Sequence, residues 1–243
     1  MRIMISQAIL CASVLAADNA SAVSLGGGFD LELELTAVSD YRSYGISQTL
    51  GDPTLQTSAT LVSPIGAYIG VWASGVDFGE GTKSSREADY YAGWYFPIGE
   101  DLLVDIGWLK YTYDKDSYLN QSGYYASLYY KGFALDLKHS DNLYGDQTNS
   151  YVALSYEYPF NDSTRINVRY GVMDFKDEVI FSASGDSRSK YAEWEARIEK
   201  DYWGATWKAS LIDTDMSATE CMNMSGYDDL CSASLVLSAT KLF

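Results

Sequence analysis

Charged or polar residues recur at every second position in two neighbouring segments of the sequence. Arg165 and Arg169 alternate with apolar residues in the first segment, and Glu195 and Glu199 do so in the second. If the two segments pair as antiparallel strands symmetrically about their loop, Arg169 lies opposite Glu195 and Arg165 lies opposite Glu199. The pattern predicts a charged wall. Such a wall either filters ions or fills a narrow interior with salt bridges.

A third segment extends the wall. Symmetrical pairing about a tight turn at 200–203 brings Lys208 opposite Glu195, which then lies between two cations. Glu193 and Arg197 share the face of Glu195 because side chains two residues apart in a strand point the same way. One slipped register would undo these pairs.

Acidic residues on the other segments have few such partners, with Lys138 as a local counter-charge. Asp30, Glu32 and Glu34 alternate with leucines, and Asp89 belongs with the same inward set. An interior with more acids than bases favours cations, as acidic rings do in cation channels. The residues predicted to line the interior are Asp30, Glu32, Glu34, Asp105, Asp136, Lys138, Arg165, Arg169, Glu193, Glu195, Arg197, Glu199 and Lys208.

Residues suited to catalysis or metal binding are sparse. His139 next to Ser140 is one pair from which a hydrolase could be built, and no motif places a third group beside it. The last outer loop holds the acids Asp213, Asp215, Glu220, Asp228 and Asp229. These acids either bridge divalent cations to lipopolysaccharide or are simply solvated. We expect no enzyme, no cofactor and no metal site.

Two further groups concern the outer loops. Cys221 and Cys231 form a disulfide if the chain is exported, and otherwise remain two thiols. Asp40, Arg42 and Gln48 either hold the first outer loop folded into the barrel mouth by mutual hydrogen bonds or are solvated.

Repeated period-two alternation indicates the elements that carry these residues. Phe29, Leu31, Leu33 and Leu35 share one face, and a helix would mix such positions with the charged ones. The predicted strands are 29–39, 54–63, 67–77, 86–96, 102–113, 121–130, 133–140, 148–158, 164–174, 190–199, 204–214 and 231–243. The fold class is therefore all-β, a transmembrane antiparallel up-and-down β-barrel of about 12 strands.

The connections alternate in length, as they do in membrane barrels. Tight turns at 64–66, 97–101, 131–132, 159–163 and 200–203 alternate with polar loops at 40–53, 78–85, 114–120, 141–147, 175–189 and 215–230. Short turns face the periplasm and longer loops face outward. Aromatic residues concentrate at the turn ends, which is typical of an interfacial girdle. The alternative is a soluble β-sandwich or lipocalin-like barrel with an aromatic core.

The ends and the composition limit where the chain works. Residues 1–22 read as a signal peptide, with Arg2, an apolar run and a small-residue cleavage site, so 23–243 is one barrel domain. The formal net charge of −16 argues against nucleic acid as a partner. The last predicted strand ends on Phe243, which suits a closing strand read by the barrel-assembly machinery. Lys241 shares its outward face and can snorkel to the headgroups.

The segments around the first loop resemble a known family. Ser39 to Thr49 reads SDYRSYGISQT, Gly51 to Gln56 reads GDPTLQ, and Tyr68 to Gly81 reads YIGVWASGVDFGEG. These blocks are similar to those of the TorF-family porins, and weaker similarity continues at 105–113 and 209–217. The resemblance covers essentially the whole chain after the leader. It implies an outer-membrane β-barrel acting as a passive channel.

Together these observations predict a function and its alternatives. We expect an outer-membrane channel for small hydrophilic solutes or ions, mildly preferring cations, with membrane lipid and lipopolysaccharide as its surroundings. The alternatives are a structural or adhesive barrel without an open pore and, least favoured, an outer-membrane hydrolase.

Overall fold

The computed structural model of the protein describes residues 22–243. The predicted signal peptide lies, except for Ala22, outside the described residues. Within the described range the chain forms twelve long strands, numbered β1 to β12. Their bounds are Phe29–Val38, Thr54–Val62, Ala67–Gly75, Arg86–Ile98, Leu102–Tyr113, Gln121–Tyr130, Phe133–Leu143, Gln147–Asn161, Thr164–Asp174, Lys190–Tyr202, Ala205–Thr214 and Ser234–Leu242.

The strands close into a single antiparallel barrel. Each strand pairs with its neighbours in sequence, and β12 pairs with β1 to complete the ring. The closing register runs from Ser238 opposite Val38 to Leu242 opposite Glu34. The first residues of β1, Phe29 to Leu31, pair instead with a short strand at Val23–Gly26. Closure leaves no long unpaired edge, which is the condition for a sheet to exist in hydrocarbon. The predicted fold class is therefore confirmed.

Tight turns and longer loops alternate as predicted, with one exception. The outer loops are L1 (39–53), L2 (76–85), L3 (114–120), L4 (144–146), L5 (175–189) and L6 (215–233). L4 is only three residues long, so the predicted loop at 141–147 is in the right place but four residues too long. Strands β7 and β8 extend into it, and Tyr144 and Gly145 turn the chain with φ angles of 51° and 106°.

The two faces of the sheet are partitioned in the reverse of a soluble protein. On β10, Glu193 is 0% exposed and Glu195 is 4% exposed, whereas Trp194 and Ile198 are 37% and 49% exposed. Charged residues thus lie inside and apolar residues lie outside. A soluble sandwich or lipocalin-like barrel buries its apolar face, so that alternative does not apply.

The outer face has the profile of a bilayer-embedded surface. Aliphatic side chains cover its middle: Ile69, Val71, Ile106, Leu137, Val152, Leu154, Ile166, Val168, Leu211, Leu235 and Leu237. At the end with the tight turns, aromatic rings pack in pairs, as in Tyr202–Trp203 at 4.9 Å and Phe133–Tyr156 at 4.7 Å between centroids. This arrangement matches an apolar belt and an interfacial girdle.

Within the described part of the chain, helical structure is confined to the outer loops. A single 3-10 turn spans Ser117–Leu119 in L3, and helix α1 spans Ala218–Ser225 in L6. Helix α1 begins with a capping box in which Ser217 and Glu220 satisfy each other's backbone N–H groups. No helix among residues 22–243 is long and apolar enough to cross a membrane.

Candidate functional site in the barrel interior

One side of the interior, on β9 to β11, is a continuous network of ion pairs. Arg169 donates to both carboxylate oxygens of Glu193 at 3.0 and 3.1 Å, and its Nη1 lies 3.2 Å from Glu195. Arg165 pairs with Glu199 at 3.3 Å and with Asp201 at 2.7 Å. We call this surface, with Arg197 and Lys208, the paired wall. It has the strand pairing predicted for Arg169 with Glu195 and for Arg165 with Glu199.

The predicted position of Lys208 is wrong. Lys208 lies opposite Glu199, with its Nζ 2.9 Å from Oε1, and Ile212 lies opposite Glu195. The cause is the turn between β10 and β11. Trp203 and Gly204, with φ angles of 54° and 66°, form the two central residues of a hairpin turn. The turn therefore lies two residues later than predicted. Every residue pair between β10 and β11 shifts accordingly, but each side chain stays on its predicted face of the sheet. Arg197 takes the predicted place of Lys208 beside Glu195, at 3.7 Å.

The opposite side of the interior, on β3 to β7, combines acids with tyrosines. Asp105 accepts a hydrogen bond from Tyr68 at 2.7 Å, and Tyr68 also bonds the hydroxyl of Tyr125. Asp136 accepts from Ser127 at 2.6 Å. We call this surface the acid–tyrosine wall. Lys138 is the one base on the inner face of these strands within the described residues.

The three acids of β1 lie at the end of the interior nearest the tight turns. Glu34 accepts a hydrogen bond from Thr36, whose hydroxyl also bonds Thr240 of the closing strand. Asp30 and Glu32 make no ion pair with any described residue. Their placement on the inner half of a strand agrees with the alternation, and their role in lining a pore remains a prediction.

L1 lies folded into the barrel and is held by a network centred on Asp40. The Asp40 carboxylate accepts hydrogen bonds from Arg42 at 2.6 Å and Ser47 at 2.6 Å. Arg42 also donates to the backbone carbonyls of Gly45 at 3.0 Å and Ser232 at 2.8 Å. Asp40 and Arg42 therefore interact as expected. Gln48 does not join them, because its amide donates to the carbonyls of Ile46 and Ser47.

L1 reaches both walls. Its Tyr41 packs against Trp72 of β3 with ring centroids 5.4 Å apart. Its Tyr44 packs against Tyr151 of β8 at 4.5 Å, and the Tyr44 carbonyl accepts from Tyr191 of β10. A cavity of about 30 Å³ remains between L1 and the walls; it is lined by Asp40, Arg42, Tyr44, Gly45, Asp136, Lys138, Tyr151, Arg169, Glu195, Ile212 and Val236. L1 is therefore the narrowing element of the interior.

L6 holds L1 in place by hydrogen bonds between the two loops. Cys221 and Cys231 are joined by a disulfide within L6. The residues next to Cys231 hold L1, since the carbonyls of Leu230 and Ser232 accept from Ser47 N–H and from Arg42. L6 and L1 thus form one cap over the external mouth.

Two of the acids of L6, Asp215 and Glu220, serve structure within this cap. Arg188 of L5 donates to Glu220 at 2.7 and 3.1 Å and to Asp215 at 3.0 Å. Burial alone would raise the pKa of Glu220, but the Ser217 N–H and the Arg188 guanidinium outweigh it and hold that pKa below its usual range. Asp215 and Glu220 are therefore ion-paired to a base, in place of the solvated or cation-bridging role considered above.

The residues considered for catalysis do not converge on a site. His139 is exposed on the outer face of β7, and its Nδ1 lies 3.0 Å from the Ser150 hydroxyl. The Ser140 side chain points inward to Asn142. Among residues 22–243 no group of three or more His, Cys, Asp or Glu side chains is arranged to hold a metal ion.

Three inner-face acids escaped the predicted set of pore-lining residues: Glu87, Glu157 and Asp201, the last of which pairs with Arg165. Glu87 of β4 is 2% exposed, and Glu157 of β8 lies on the inner face opposite Asn167. The available signal was the alternation of Glu87, Asp89 and Tyr91 with Ala88 and Tyr90. The same alternation identified the other walls, so it was sufficient to find Glu87.

Comparison with known proteins places the chain in a family. Residues 22–243 match the profile of a family described as "Bacterial protein of unknown function (Gcw_chp)". The chain belongs to this family. Comparison with curated protein sequences finds no match. The predicted membership of the TorF family is not tested by this match.

Solved structures show the same architecture. The KdgM porin is 5% identical with a TM-score of 0.52, over 87% of this chain and 99% of that one. The NanC porin is 10% identical with a TM-score of 0.54, over 86% and 98% of the two chains. KdgM has also been solved in complex with disordered oligogalacturonate. At such low identity the likeness shows a shared porin-type barrel fold.

Proposed function

We propose that the protein is a porin-like channel of the bacterial outer membrane that passes small hydrophilic solutes or ions, with a preference for cations. The observation that carries the proposal is the closed 12-strand barrel with an apolar outside and a charged inside. Such a barrel is stable only across a membrane, and its polar interior is the path that a channel would use between the two sides. The finer resemblance to TorF-family porins and the export signal are consistent with this proposal.

The cation preference follows from the composition of the inner face. Among the described residues the inner-face acids are Asp30, Glu32, Glu34, Glu87, Asp89, Asp105, Asp136, Glu157, Glu193, Glu195, Glu199 and Asp201. The inner-face bases are Lys138, Arg165, Arg169, Arg197 and Lys208. The excess of acids makes the interior electrically negative, which attracts cations and repels anions. An anionic sugar would meet an unfavourable field here.

Conductance of the purified, refolded protein in a planar bilayer tests the channel. We expect stepwise conductance, and a reversal potential in a KCl gradient whose sign corresponds to cation preference. Anion selectivity would contradict the cation preference alone. A correctly folded barrel that passes no current would contradict the channel itself.

The inward position of L1 supports a second candidate function. A barrel narrowed by Tyr41 and Tyr44 could serve as a receptor or structural barrel whose outer cap binds a partner. Removal of L1 separates the two: a channel gated by L1 gains conductance, whereas a barrel filled by its walls stays silent. We further propose that membrane lipid and lipopolysaccharide contact the outer belt, and that the strand ending at Phe243 is read during barrel assembly.

A further inference from the structure

Two carboxylates of the acid–tyrosine wall are buried side by side. Glu87 and Asp89 lie two residues apart in β4, so both point to the interior. Glu87 is 2% exposed and Asp89 is 0% exposed. Within residues 22–243, Glu87 Oε2 and both carboxylate oxygens of Asp89 are buried without a hydrogen-bond partner. Neither side chain forms an ion pair in that range.

Such a pair is costly unless something neutralises it. Removing an ionised carboxylate from water costs several kcal/mol, and attraction to a cation or strong hydrogen bonds must offset it. On the paired wall, the attracting cation is Arg169, whose guanidinium pairs with Glu193 and Glu195. On β4 the neighbouring base, Arg86, is exposed on the other face. The pair is therefore neutralised either by protonation or by a cation bound from outside the described residues.

The groups around the two carboxylates are oxygen donors suited to a hard cation. Tyr113 lies opposite Glu87 and donates to its Oε1 at 3.2 Å. Tyr111 lies opposite Asp89, and its hydroxyl is buried without a partner among the described residues. On the neighbouring strand β3, Trp72 lies opposite Asp89, and the ring of Tyr41 from L1 packs against the ring of Trp72. The site is thus roofed by the narrowing loop.

We propose that Glu87 and Asp89 form a binding site for a hard cation inside the barrel, with Ca²⁺ as the best-matched ion. Two carboxylates carry the charge that one divalent ion neutralises, and Ca²⁺ accepts the irregular oxygen sets that Mg²⁺ does not. Because only two carboxylates contribute, the affinity is low, on the order of millimolar as in weak extracellular sites. The inference rests on the proposed channel, since the ion reaches the site through the interior.

Terbium luminescence tests the site directly. Tb³⁺ replaces Ca²⁺ at oxygen sites, and nearby tyrosines such as Tyr111 and Tyr113 sensitise its emission. We expect the folded protein in detergent to show tyrosine-sensitised emission that millimolar Ca²⁺ removes. The double variant Glu87→Gln/Asp89→Asn should lose most of this emission, by about fivefold or more, because both charged ligands are gone.

The matched control carries the same charge change on exposed connections. The variant Glu100→Gln/Asp146→Asn alters a tight turn and L4 and should retain the emission of the wild type. If emission is equal in the two double variants, the site does not exist. If the Glu87/Asp89 double variant does not fold, the single variants Glu87→Gln and Asp89→Asn should each lower the emission. Two unchanged single variants would then overturn the proposal.

The outcomes separate this site from the proposed channel. Conductance in a planar bilayer with unchanged emission in the Glu87/Asp89 double variant would reject the site and leave the channel. Emission that depends on Glu87 and Asp89 in a barrel without conductance would reject the channel and leave an interior cation site.

Discussion

The two walls of the barrel interior compensate their buried carboxylates in different ways. On the paired wall, Glu193, Glu195 and Glu199 are each within ion-pair distance of arginine or lysine. On the acid–tyrosine wall, Asp105 and Asp136 rely on single hydroxyl donors, and Glu87 and Asp89 have unmet oxygens. The carboxylates of the paired wall are thus fixed by ion pairs, whereas those of the acid–tyrosine wall still have oxygens that could bind a cation.

The difference also shows why buried charge alone does not identify a functional surface. The paired wall contains more charged residues, yet its charges largely cancel, so its field in the interior is weak. The acid–tyrosine wall contains fewer charges, but its four acids, Glu87, Asp89, Asp105 and Asp136, outnumber its one base among the described residues, Lys138. If the barrel conducts ions as proposed, its selectivity should depend on the uncompensated charge, and variants that change the pairing on one wall should affect stability and selectivity separately.

Loss of Arg169, which pairs with two glutamates of the paired wall, should have the largest effect on the free energy of unfolding. Replacing Arg169 with methionine leaves Glu193 and Glu195 buried without it, and we expect a loss of about 3–5 kcal/mol in the free energy of unfolding. Urea unfolding in lipid vesicles, followed by tryptophan fluorescence, measures this change. Lys131→Met is the control, because it breaks the exposed pair with Asp101 and should cost less than about 1 kcal/mol. Equal effects of the two variants would show that the paired wall is no more stabilising than a surface contact.

The acid–tyrosine wall should respond with the opposite sign. Asp89→Asn removes a buried charge whose oxygens lack partners, so we expect the free energy of unfolding to rise by about 1–3 kcal/mol in a chelator-treated sample. The same urea experiment measures it. Added Ca²⁺ should stabilise the wild type and leave Asp89→Asn unchanged. A destabilised Asp89→Asn barrel would mean that Asp89 is already compensated, and the contrast between the walls would fail.

Displacing L1 from the paired wall tests whether the loop controls access between the walls. A Cβ at Gly45 would lie 2.6 Å from Thr214 Cγ2 and 3.0 Å from Glu193 Cβ. Gly45→Val should therefore push L1 away, cost about 1–3 kcal/mol and increase single-channel conductance. Gly51→Val is the control, since Gly51 has a similar φ of 82° against 85° but open space around its Cβ position. If both variants conduct alike, backbone strain and not the contact with the wall moves the loop.

The smallest expected effect concerns the cap that holds L1 over both walls. Because the folded-state pKa of Glu220 is depressed, its contribution is present above the unfolded-state pKa and is lost as the pH falls through the lower folded-state value. We expect hydrogen exchange in helix α1 to reveal this loss as less than about 1 kcal/mol of local stability. Glu220→Gln should remove that part of the pH dependence. An unchanged pH profile would assign it to another group of the cap.

Much of the barrel follows from local rules that act residue by residue. The alternation in 190–199 specified which side chains of β10 lie inside, and the structure places Glu193 and Trp194 on the opposite faces expected of them. The pairing of Arg169 with Glu195 followed from symmetrical closure of a hairpin. Lys208 did not follow, because the type of turn at Trp203 and Gly204 sets the register, and that turn depends on positive φ angles at two residues.

The sequence by itself determined the period-two partition, the number of strands and the excess of interior acid, since each depends on neighbouring residues along one strand. Only the tertiary structure decided where L1 lies and which acids lack a counter-charge. Tyr41 meets Trp72 and Arg42 meets Ser232 across long stretches of chain. Such contacts depend on closure of the barrel, because closure alone brings β3, β10 and L6 around a common interior.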